Sequence, residues 1–402
     1  MRIALFTPYL PYPPDNGGKI RSFYLLRALT ERFDVDLYTP YYGTGPSEDH
    51  VEALGAYCRR VVPMRLVRPW RFRNRIKHAL SPLPRAVHYF HTADSLKQAG
   101  QCLQEEEYDA IIADEICMTP YAELRADVPR LVTRQKVDSA HYREVARARP
   151  WGIEKALDFI EAAQLKSYCK KKMSIYQAYL ACSENDAAQI SANSPGVPAL
   201  VIPNGADLSK FVPSGGPRAE EPTLLYVGSM NYYPNIDAMQ FFFEKAYDRI
   251  AQAMPDIQVQ IVGHKPPSKI LKLARQPGVK VTGTVPNVWP FYDKATVFFV
   301  PLRLGSGTRL KIVEAMAMGL PVVSTSVGAE GLDIAHGENI LIADDADSFS
   351  DYILALLSDP DLRARIAAGG QQLAQRYDWM EITKPWAELV EEVASQRKGT
   401  ET

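Results

Sequence analysis

The residues most able to do chemistry in this chain follow a glycine-rich loop, Gly305-Ser306-Gly307-Thr308. The glycines free the backbone and Thr308 supplies a hydroxyl cap, which predicts a helix starting near Thr308. A helix N-terminus offers unpaired N–H groups and the positive end of a dipole, and Arg309 and Lys311 add two cations in its first turn. Cations are usually disfavoured at that end of a helix, so the pattern indicates an anionic ligand.

One face of the same predicted helix carries a second polar group. Lys311, Glu314 and Met318 are spaced three and four apart, so the lysine and the glutamate share this face. We interpret Arg309 and Lys311 as ligands of a diphosphate and Glu314 as an acceptor for a ribose hydroxyl. The alternative is an ordinary surface ion pair between Lys311 and Glu314, worth about 0.3–0.5 kcal/mol. Spacing alone does not choose between the two.

Two predicted strands flank this helix and determine where its N-terminus lies. Residues 295–302 form a β-branched and aromatic run, long enough for one buried strand. The helix should end at Met318, because Gly319 suits a left-handed cap and Pro321 cannot continue a helix. Residues 321–325 are the next predicted strand. A strand-helix-strand unit this short implies parallel pairing, with the loop at the carboxyl edge of the sheet.

This segment resembles the donor-site signature of GT-B glycosyltransferases, and most of all that of the retaining, nucleotide-sugar-dependent family 4, the glycosyl transferases group 1. The similarity lies in Glu314-Ala-Met-Ala317, Gly319, Pro321-Val-Val323 and Gly328. The resemblance implies that Glu314 contacts the ribose. Members of the family often carry another glutamate, near the transferred sugar, eight positions earlier. This chain has Ser306 there, so that sugar contact does not carry over.

By the same resemblance, three further strand ends in the second half of the chain would contact the donor. Gly228 and Ser229 follow the predicted strand 223–227, where many relatives place an arginine and, shortly after, a lysine for the diphosphate. Because this chain lacks that pair, we expect Arg309 and Lys311 to carry the charge. The remaining predicted donor-binding residues hold the base through backbone groups or lie in the glycine-rich loop: Gly263, His264, Thr284, Val285, Ser306, Gly307 and Thr308.

The first half of the chain has its own glycine pair, Gly17-Gly18, which opens a predicted helix running to about Glu31. The pair lets the backbone approach a ligand closely. It is not a G-x-G-x-x-G fingerprint, and no acidic residue ends the second strand, which argues against a dinucleotide-binding fold. The resemblance implies that this loop faces the donor phosphate and the acceptor; by itself the pair could be only a turn.

The resemblance also assigns an acceptor side to two strand ends in the first half. Asp114 and Glu115 follow a predicted strand, and Asp114 stands where relatives often have a histidine. Gln135 begins the run Gln135-Lys-Val-Asp138, where relatives tend to read His-Asn-Val-Glu. We therefore expect Asp114, Glu115 and Gln135 on the acceptor side, with chemistry that departs from the family pattern.

Length and composition indicate two domains of ordinary size. The chain has 402 residues, 46% hydrophobic content and a formal net charge of −1, which is typical of a globular protein and argues against nucleic-acid binding. We predict an α/β protein with two doubly wound, Rossmann-like domains facing a central cleft. The predicted N-terminal acceptor-side domain is 1–203, to which a C-terminal helix in 380–402 returns, and the predicted donor-binding domain is 204–379.

The cysteines and the N-terminal sequence indicate the cellular compartment of the protein. The five cysteines are scattered, without a C-x-x-C pair, which fits reduced thiols and a cytoplasmic location. No signal-peptide pattern is present, and no apolar run approaches ~18 residues.

The D-x-D sequence Asp34-Val-Asp36 lies at the start of a strand, away from the ligand edge. We therefore expect no metal and no cofactor besides the nucleotide-diphosphate sugar, which is the donor substrate.

A basic stretch, 59–85, lies within a segment, 53–93, that contains no aspartate or glutamate. Basic residues interleaved with apolar and aromatic ones suit a segment on anionic lipid, each surface cation contributing about 1 kcal/mol. This would place the protein peripherally at the inner face of a membrane. A phosphate-bearing acceptor fits the same stretch. The alternative is a solvated segment whose acids come from elsewhere in the fold.

Three helical regions are predicted outside the candidate sites. Residues 150–177 predict an amphipathic helix that packs on the core and exposes a basic face, Lys166, Lys170, Lys171 and Lys172. Residues 344–374 are predicted to be helical. A last helix follows to about Ser395, and GT-B chains often return this helix to the first domain.

Together, the residues and the resemblance predict a retaining glycosyltransferase. It would move a sugar, of hexosyl type, from a nucleotide-diphosphate donor to a glycan or polyprenyl-linked acceptor in polysaccharide or cell-surface glycan biosynthesis. A rival interpretation is a non-catalytic GT-B scaffold that binds nucleotide or glycan, which Ser306 and the altered acceptor edge favour. An epimerase acting on nucleotide sugars would share the fold. The joint presence of Arg309, Lys311 and Glu314 favours the enzyme.

Overall fold

The chain forms two compact α/β units in a computed structural model that describes residues 1–66, 83–149, 151–216, 221–305 and 309–398. The first unit comprises Met1–Ile202 and Thr383–Thr402, and the second comprises Pro203–Ile382. The chain therefore leaves the first unit and later returns to it. The boundaries expected from the sequence lie close to these, but residues 380–382 belong to the second unit rather than to the returning segment.

A parallel β-sheet forms the centre of the first unit. Its strands are β1 (Arg2–Phe6), β2 (Asp34–Tyr42), β3 (Arg60–Leu66), β4 (Ala110–Asp114), β5 (Arg130–Thr133), β6 (Ala178–Ala181) and β7 (Ala199–Val201). They lie in the order β3-β2-β1-β4-β5-β6-β7. The order reverses at β1, which pairs with β2 on one side and with β4 on the other. Ligands of such sheets bind beyond the carboxyl ends of the strands at this switch point.

Helices cover both faces of this sheet, as a parallel sheet with buried apolar strands requires. They are α1 (Gly17–Thr30), α2 (Glu48–Gly55), α3 (Arg85–His88), α4 (Ala93–Glu105), α5 (Thr119–Ala122), α6 (Asp138–Ala148), α7 (Ile153–Lys172) and α8 (Glu184–Ser191). Helix α1 begins where expected, because the Asn16 side chain accepts a hydrogen bond of 3.2 Å from the N–H of Lys19. This cap places Gly17 and Gly18 in the first turn, beyond the carboxyl end of β1.

The second unit has a parallel sheet of its own. Its strands are β8 (Thr223–Val227), β9 (Gln258–Val262), β10 (Val279–Gly283), β11 (Val297–Val300), β12 (Val322–Ser324) and β13 (Leu341–Ile342). They lie in the order β10-β9-β8-β11-β12-β13, with the reversal between β8 and β11. Both sheets are doubly wound, so the predicted α/β class with two Rossmann-like domains is confirmed.

The helices of the second unit pack around a core of buried aliphatic and aromatic side chains. They are α9 (Tyr233–Phe241), α10 (Tyr247–Ala253), α11 (Ser268–Leu271), α12 (Trp289–Lys294), α13 (Leu310–Ala317), α14 (Ala346–Ser358), α15 (Pro360–Ala374) and α16 (Trp379–Ile382). The region predicted to be helical, 344–374, contains the two helices α14 and α15. The helix breaks at Asp359, because Pro360 lacks an N–H and the Asp359 carboxylate caps α15 by accepting from the N–H of Leu362 at 2.9 Å.

The last helix, α17 (Lys384–Lys398), returns the chain to the first unit. Its Trp386 is fully buried, and Arg32 of the first unit lies 3.4 Å from Glu391 of α17. The chain passes between the units twice, and the two backbone segments of the second unit next to these connections are hydrogen-bonded to each other. The N–H of Ala206 donates to the carbonyl of Tyr377 at 2.9 Å, and the N–H of Trp379 donates to the carbonyl of Ala206 at 3.1 Å.

The described part of the basic stretch contains cations that pair with carboxylates elsewhere in the fold. Arg59 forms an ion pair with buried Asp36, and Arg60 lies 3.3 Å from the same carboxylate. Arg85 lies 3.6 Å from Asp158 of α7. These three cations fit the alternative in which the acids that pair with the basic stretch come from elsewhere in the fold. Residues 67–82 of the stretch lie outside the described residues. Among the residues that the structure describes, no helix combines the length and hydropathy needed to cross a membrane.

Candidate active site

Helix α13 directs its N-terminus toward the switch point of the second sheet, since it follows the carboxyl end of β11. The helix ends as expected: Gly319 has a φ of 65°, and the N–H groups of Gly319 and Leu320 bond to the carbonyls of Met316 and Ala315, each at 2.9 Å. This pair of bonds is a Schellman cap. The helix begins at Leu310, slightly later than predicted, so Arg309 occupies the cap position. Ser306, Gly307 and Thr308 lie outside the described residues.

Lys311 is held by side chains from two other elements. Its Nζ donates to the hydroxyl of Tyr226 at 3.1 Å and to Oδ1 of Asn235 at 3.3 Å, and it lies 4.3 Å from the centre of the Tyr226 ring. The Tyr226 hydroxyl donates to the same Asn235 oxygen at 2.7 Å, and Nδ2 of Asn235 donates to the carbonyl of Ser229 at 2.8 Å. Strand β8, helix α9 and helix α13 thus fix one ammonium at the switch point.

Gly228 and Gly263 give this arrangement its close packing. A Cβ at Gly228 would lie 2.7 Å from Nζ of Lys311, so only glycine leaves room for the ammonium as it stands. A Cβ at Gly263 would lie 1.8 Å from the carbonyl oxygen of Gly228, which no side chain can tolerate. The structure therefore brings together Gly228, Gly263 and Lys311, which the sequence analysis placed in the donor site.

Burial controls the electrostatics of the two cations. Burial, reinforced by the nearby Arg309 charge and opposed by Glu314, lowers the pKa of Lys311 to about 7. Burial also lowers the pKa of Arg309 below its ordinary value. An anion placed against Lys311 would favour its charged form, so anion binding at this point is coupled to proton uptake.

Glu314 lies one turn further along α13 and is oriented by a tyrosine that the sequence analysis did not identify. The fully buried Tyr292 donates its hydroxyl to Oε2 of Glu314 at 2.9 Å. Burial raises the pKa of Glu314, while this hydrogen bond and the charge of Lys311 lower it. A single hydrogen bond leaves acceptor capacity on the carboxyl group, which is what a ligand hydroxyl requires.

The loop before α13 packs against the second cation. Gly305 has a φ of 106°, a conformation that favours glycine, and a Cβ there would lie 2.9 Å from Nη2 of Arg309. The backbone freedom that the sequence predicts for this loop is therefore required at Gly305, where the backbone packs against the guanidinium group of Arg309.

The edges of β9 and β10 carry the residues predicted to hold the base. Nδ1 of His264 and Oγ1 of Thr284 are 3.0 Å apart, and the N–H of Met230 donates to the carbonyl of His264 at 2.8 Å. Val285 packs against the core of the second unit. Ser229 is exposed and its hydroxyl donates to Oδ1 of Asn231 at 2.7 Å. These residues line the carboxyl edge next to the Lys311 cluster.

The first unit has a second polar cluster at its own switch point. Nε2 of Gln135 donates to the hydroxyl of Tyr9 at 3.2 Å and to the carbonyl of Gly18 at 3.4 Å. A Cβ at Gly18 would lie 2.4 Å from the Tyr9 hydroxyl, so this position needs glycine, whereas Gly17 has open space around it. The N–H of Gln135 donates to Oε1 of Glu115 at 2.9 Å. The loop after β1 and the ends of β4 and β5 thereby meet.

The two acceptor-side carboxylates are buried and differ in their partners. Asp114 accepts hydrogen bonds from the hydroxyls of Ser22 and Thr133, and burial raises its pKa. Glu115 has a φ of 78°, unusual for a residue with a side chain. Burial, and after it the carboxylates of Asp138 and Asp114, raise the pKa of Glu115. Strain and an uncharged carboxyl at a switch point are typical of functional positions.

Comparisons with known proteins agree with this architecture. Residues 221–359 match the family model described as "Glycosyl transferases group 1". The chain is 22% identical over 372 residues to an "Uncharacterized 44.6 kDa protein in cps region" of Klebsiella pneumoniae, covering 88% of this chain and 90% of that protein. It is 28% identical over 213 residues to a phosphatidyl-myo-inositol mannosyltransferase of Mycobacterium tuberculosis, covering 50% of this chain and 55%, about half, of that protein.

A solved structure shares the fold over nearly the whole chain. Anabaena HepE, determined in complex with UDP, is similar with a TM-score of 0.69 and 15% identity, covering 98% of this chain and 100% of that one. At this level of identity the likeness concerns the fold, which consists of two Rossmann-like domains.

Proposed function

We propose that the protein is a retaining, hexosyl-type glycosyltransferase that takes its sugar from a nucleotide diphosphate, because residues 221–359 match the model of the glycosyl transferases group 1 and the chain has the GT-B fold. The observation that carries the proposal is the position of Lys311, whose ammonium is held by uncharged partners at the switch point of the second sheet. This is where a doubly wound sheet binds its ligand.

The proposed chemistry assigns a role to each cation. As the bond between C1 of the sugar and the diphosphate oxygen breaks, its electron pair moves to the leaving oxygen while positive charge develops at C1. The oxygen of the acceptor hydroxyl forms the new bond to C1, and its proton passes to the leaving diphosphate. Arg309, Lys311 and the N-terminus of α13 stabilise the negative charge of the leaving group. Each strong contact of this kind contributes about 2–4 kcal/mol to lowering the barrier.

Glu314 binds the nucleotide in this proposal. Its carboxyl accepts a ribose hydroxyl, with Tyr292 holding the side chain in place. The bound UDP in the HepE structure supports a nucleoside diphosphate as the common part of the donor. Gly228, Gly263, His264 and Thr284 would then lie along the nucleotide.

The acceptor is proposed to be a glycan or a polyprenyl-linked sugar, as in polysaccharide or cell-surface glycan biosynthesis. Its hydroxyl would approach the cluster at the switch point of the first unit, where Gln135 contacts the first turn of α1. Asp114 already accepts two hydroxyl hydrogen bonds, so Glu115 and Gln135 are the more available of the three acceptor-side residues.

Charge neutralisation by side chains also underlies the proposal that no metal or cofactor is needed. The D-x-D sequence cannot easily hold a donor metal, because Asp36 is buried in ion pairs with Arg59 and Arg60. Two cations near the expected diphosphate position take the role that a divalent ion would otherwise have.

A peripheral location at an anionic membrane surface is a separate part of the proposal. It rests on the basic stretch 59–85, of which Arg59, Arg60 and Arg85 are engaged within the fold. Neutralising Arg71, Arg73 and Arg75 should weaken binding to anionic vesicles at low salt. Binding that persists in this variant would exclude the stretch as the lipid-binding segment.

A thermal-shift screen tests the donor proposal directly. Purified protein is heated with UDP-, GDP-, ADP- and TDP-sugars, with and without EDTA, because a ligand that binds the native state raises its stability. We expect one nucleotide class to raise the Tm equally with and without EDTA. A shift that EDTA abolishes would contradict metal independence, and the absence of any shift would favour the non-catalytic scaffold.

A further inference from the structure

The hairpin formed by helices α6 and α7 exposes large apolar side chains around its tip. Trp151, in the connection between the helices, is 92% exposed, and Ile153, at the start of α7, is 66% exposed. Phe159 and Ile160 follow on α7 at 40% and 41% exposure. A contiguous group of this kind on a protein surface usually marks an interaction site.

Helix α7 buries two acidic residues beside its apolar contacts Leu165 and Tyr168, and it exposes apolar residues on the opposite side. Ile153, Ala156, Ile160 and Ala163 recur at helical spacing and are exposed. On the inner side, Asp158 and Glu161 are 1% and 3% exposed. A helix that faced only water would place its carboxylates outward and its isoleucines inward. The outward stripe is therefore suited to an environment other than water.

The buried acids explain how this helix is held in place. Glu161 accepts hydrogen bonds from the N–H groups of Arg85 and Ala86, at 3.0 and 2.7 Å, and so caps helix α3. Oδ2 of Asp158 lies 2.8 Å from Nε of Arg149 in an ion pair. Because both carboxylates are engaged inside the fold, α7 cannot rotate to bury its apolar stripe without losing these bonds.

Lys155 makes local contacts with residues of the connection between the two helices. Nζ of Lys155 donates to the carbonyl of Arg149 at 3.0 Å and lies 4.9 Å from the centre of the Trp151 ring. Trp151 thus lies next to a cation while its side chain is exposed.

The charge around the stripe is mainly positive, although Arg149 is paired with Glu154 at 3.7 Å and with Asp158. Within the described part of 138–172, the exposed charged side chains are Glu144 and the six cations Arg143, Arg147, Arg149, Lys166, Lys170 and Lys171. A surface cavity of about 410 Å³ lies between the two helices, and its lining includes Phe159 and Ala163 together with Arg143, Lys166 and Lys170. Phe159 and Ala163 of α7 therefore line one cavity together with three cations.

We propose that the α6–α7 hairpin is a membrane-docking element, with Trp151 and the apolar stripe inserted at the surface of an anionic lipid bilayer. Tryptophan favours the boundary between headgroups and acyl chains, and the surrounding cations would meet lipid phosphates. The inference rests on the proposed function, because a polyprenyl-linked acceptor is presented at such a surface. It assigns docking to a segment that the basic stretch 59–85 does not include.

Vesicle co-sedimentation of the full chain tests this inference. The vesicles are phosphatidylcholine alone or phosphatidylcholine with phosphatidylglycerol, at low and high salt. We expect binding to the anionic vesicles, and Trp151→Ser combined with Ile153→Ser should weaken it about tenfold, since both side chains insert. The matched control is Leu271→Ser, which changes a residue of the second unit that is 49% exposed and should leave binding unchanged.

Fluorescence gives a second measurement at the same site. Anionic vesicles should shift the emission of the wild type to shorter wavelength, and Trp151→Phe should remove most of that shift while co-sedimentation persists. A wild-type spectrum that vesicles leave unchanged would overturn the proposal.

Three other outcomes would also overturn it. The first is vesicle binding at the wild-type level in the Trp151/Ile153 variant. The second is a loss of binding that occurs only when Arg71, Arg73 and Arg75 are neutralised. The third is a concentration-dependent dimer that Trp151→Ser dissociates, without any binding to vesicles. The donor-induced Tm shift is measured on the same variants. If the wild type shows no such shift but still binds vesicles through the hairpin, the donor proposal fails and the docking surface stands.

Discussion

The ammonium of Lys311 lies 4.3 Å from the centre of the Tyr226 ring and 3.1 Å from its hydroxyl oxygen. A cation over an aromatic ring is stabilised by the ring's negative face, and more so where water is excluded. Neither this ring nor the Asn235 amide carries a formal charge. Within the described residues, the groups that accept hydrogen bonds from the ammonium are therefore neutral.

Replacing Lys311 by alanine should lower sugar transfer at least about tenfold while the fold remains intact, because a strong contact to the leaving group is removed. Steady-state rates with the donor identified by the thermal-shift screen measure the effect. Lys280→Ala is the control, since Lys280 is exposed on β10. Near-normal turnover of Lys311→Ala would remove this lysine from the mechanism.

Donor affinity should depend on pH through the same lysine. With a pKa of about 7 in the free protein, Lys311 loses its charge above that pH, and diphosphate binding must then restore a proton. Affinity should therefore fall as pH rises above about 7, by up to about tenfold per pH unit. Calorimetry in buffers of different ionisation enthalpy measures the proton uptake.

A variant of Asn235 serves as the control for this pH dependence. Asn235→Asp would place a carboxylate 3.3 Å from Nζ, where the amide oxygen now lies. It should raise the pKa of Lys311 and move the fall in affinity to higher pH. An unchanged pH profile in this variant would show that another group titrates.

Glu314→Ala should mainly weaken donor binding, because the ribose loses an acceptor while the groups around the leaving phosphate remain. A hydrogen bond to a charged group is worth about 1.5–3 kcal/mol, so we expect a loss of about tenfold to a hundredfold in affinity. Titration with the donor and with the free nucleoside diphosphate measures it. Glu338→Ala, at an exposed position of the same unit, is the matched control. Equal affinities of Glu314→Ala and wild type would contradict the ribose role.

Two glycine substitutions should separate function from stability. The Cβ of Gly228→Ala would press on the movable end of Lys311 at 2.7 Å, so donor affinity should fall with little change in Tm. The Cβ of Gly263→Ala would meet backbone of Gly228 at 1.8 Å, so this variant should lose stability by about 1–3 kcal/mol or more. Thermal unfolding with and without donor compares them. A reversed order of the two effects would contradict the packing described here.

Glu115→Gln should change how the stability of the protein depends on pH. The raised pKa of Glu115 means that the native state holds more protons than the unfolded state above the ordinary glutamate pKa of about 4.3. The free energy of unfolding contributed by this group therefore falls as pH rises through that window. Glutamine stays neutral, so the Tm of the variant should decline less between about pH 5 and pH 8. Parallel Tm curves for the two proteins would rule out this titration.

The sequence allowed the fold to be predicted because its signals are local. The apolar run before Gly305 and the Gly319 and Pro321 pair after the helix each act within a few residues, and strand, helix and strand lie close to where they were expected. The break at Asp359 was missed, although Pro360 marked it, because the hydrophobic pattern continues across it. At this position the helix boundary is set by the capping residue and the proline rather than by the hydrophobic periodicity.

The site was predictable only in part, for a physical reason. Lys311 and Glu314 stand in a recognisable motif, but Tyr226, Asn235 and Tyr292, which hold them, come from distant parts of the chain. A tyrosine in the otherwise aliphatic strand β8, two positions before Gly228, was the available signal for Tyr226. In α7 the predicted basic face is present, with Lys166 and Lys170 exposed. The exposure of Ile153 and Ile160 could not be foreseen, because it depends on where Asp158 and Glu161 find partners.

The paired backbone at Ala206, Tyr377 and Trp379 bears on how this protein could have been assembled and how it could be taken apart. The second unit is a single uninterrupted stretch of chain whose two ends are hydrogen-bonded side by side, and it interrupts a first unit that is completed only by α17. That is the layout of a domain insertion, in which a guest module is spliced into its host through neighbouring ends. Residues 203–382 should thus be excisable as a stand-alone folded module, whereas a C-terminal truncation before Trp386 would damage the host rather than the guest.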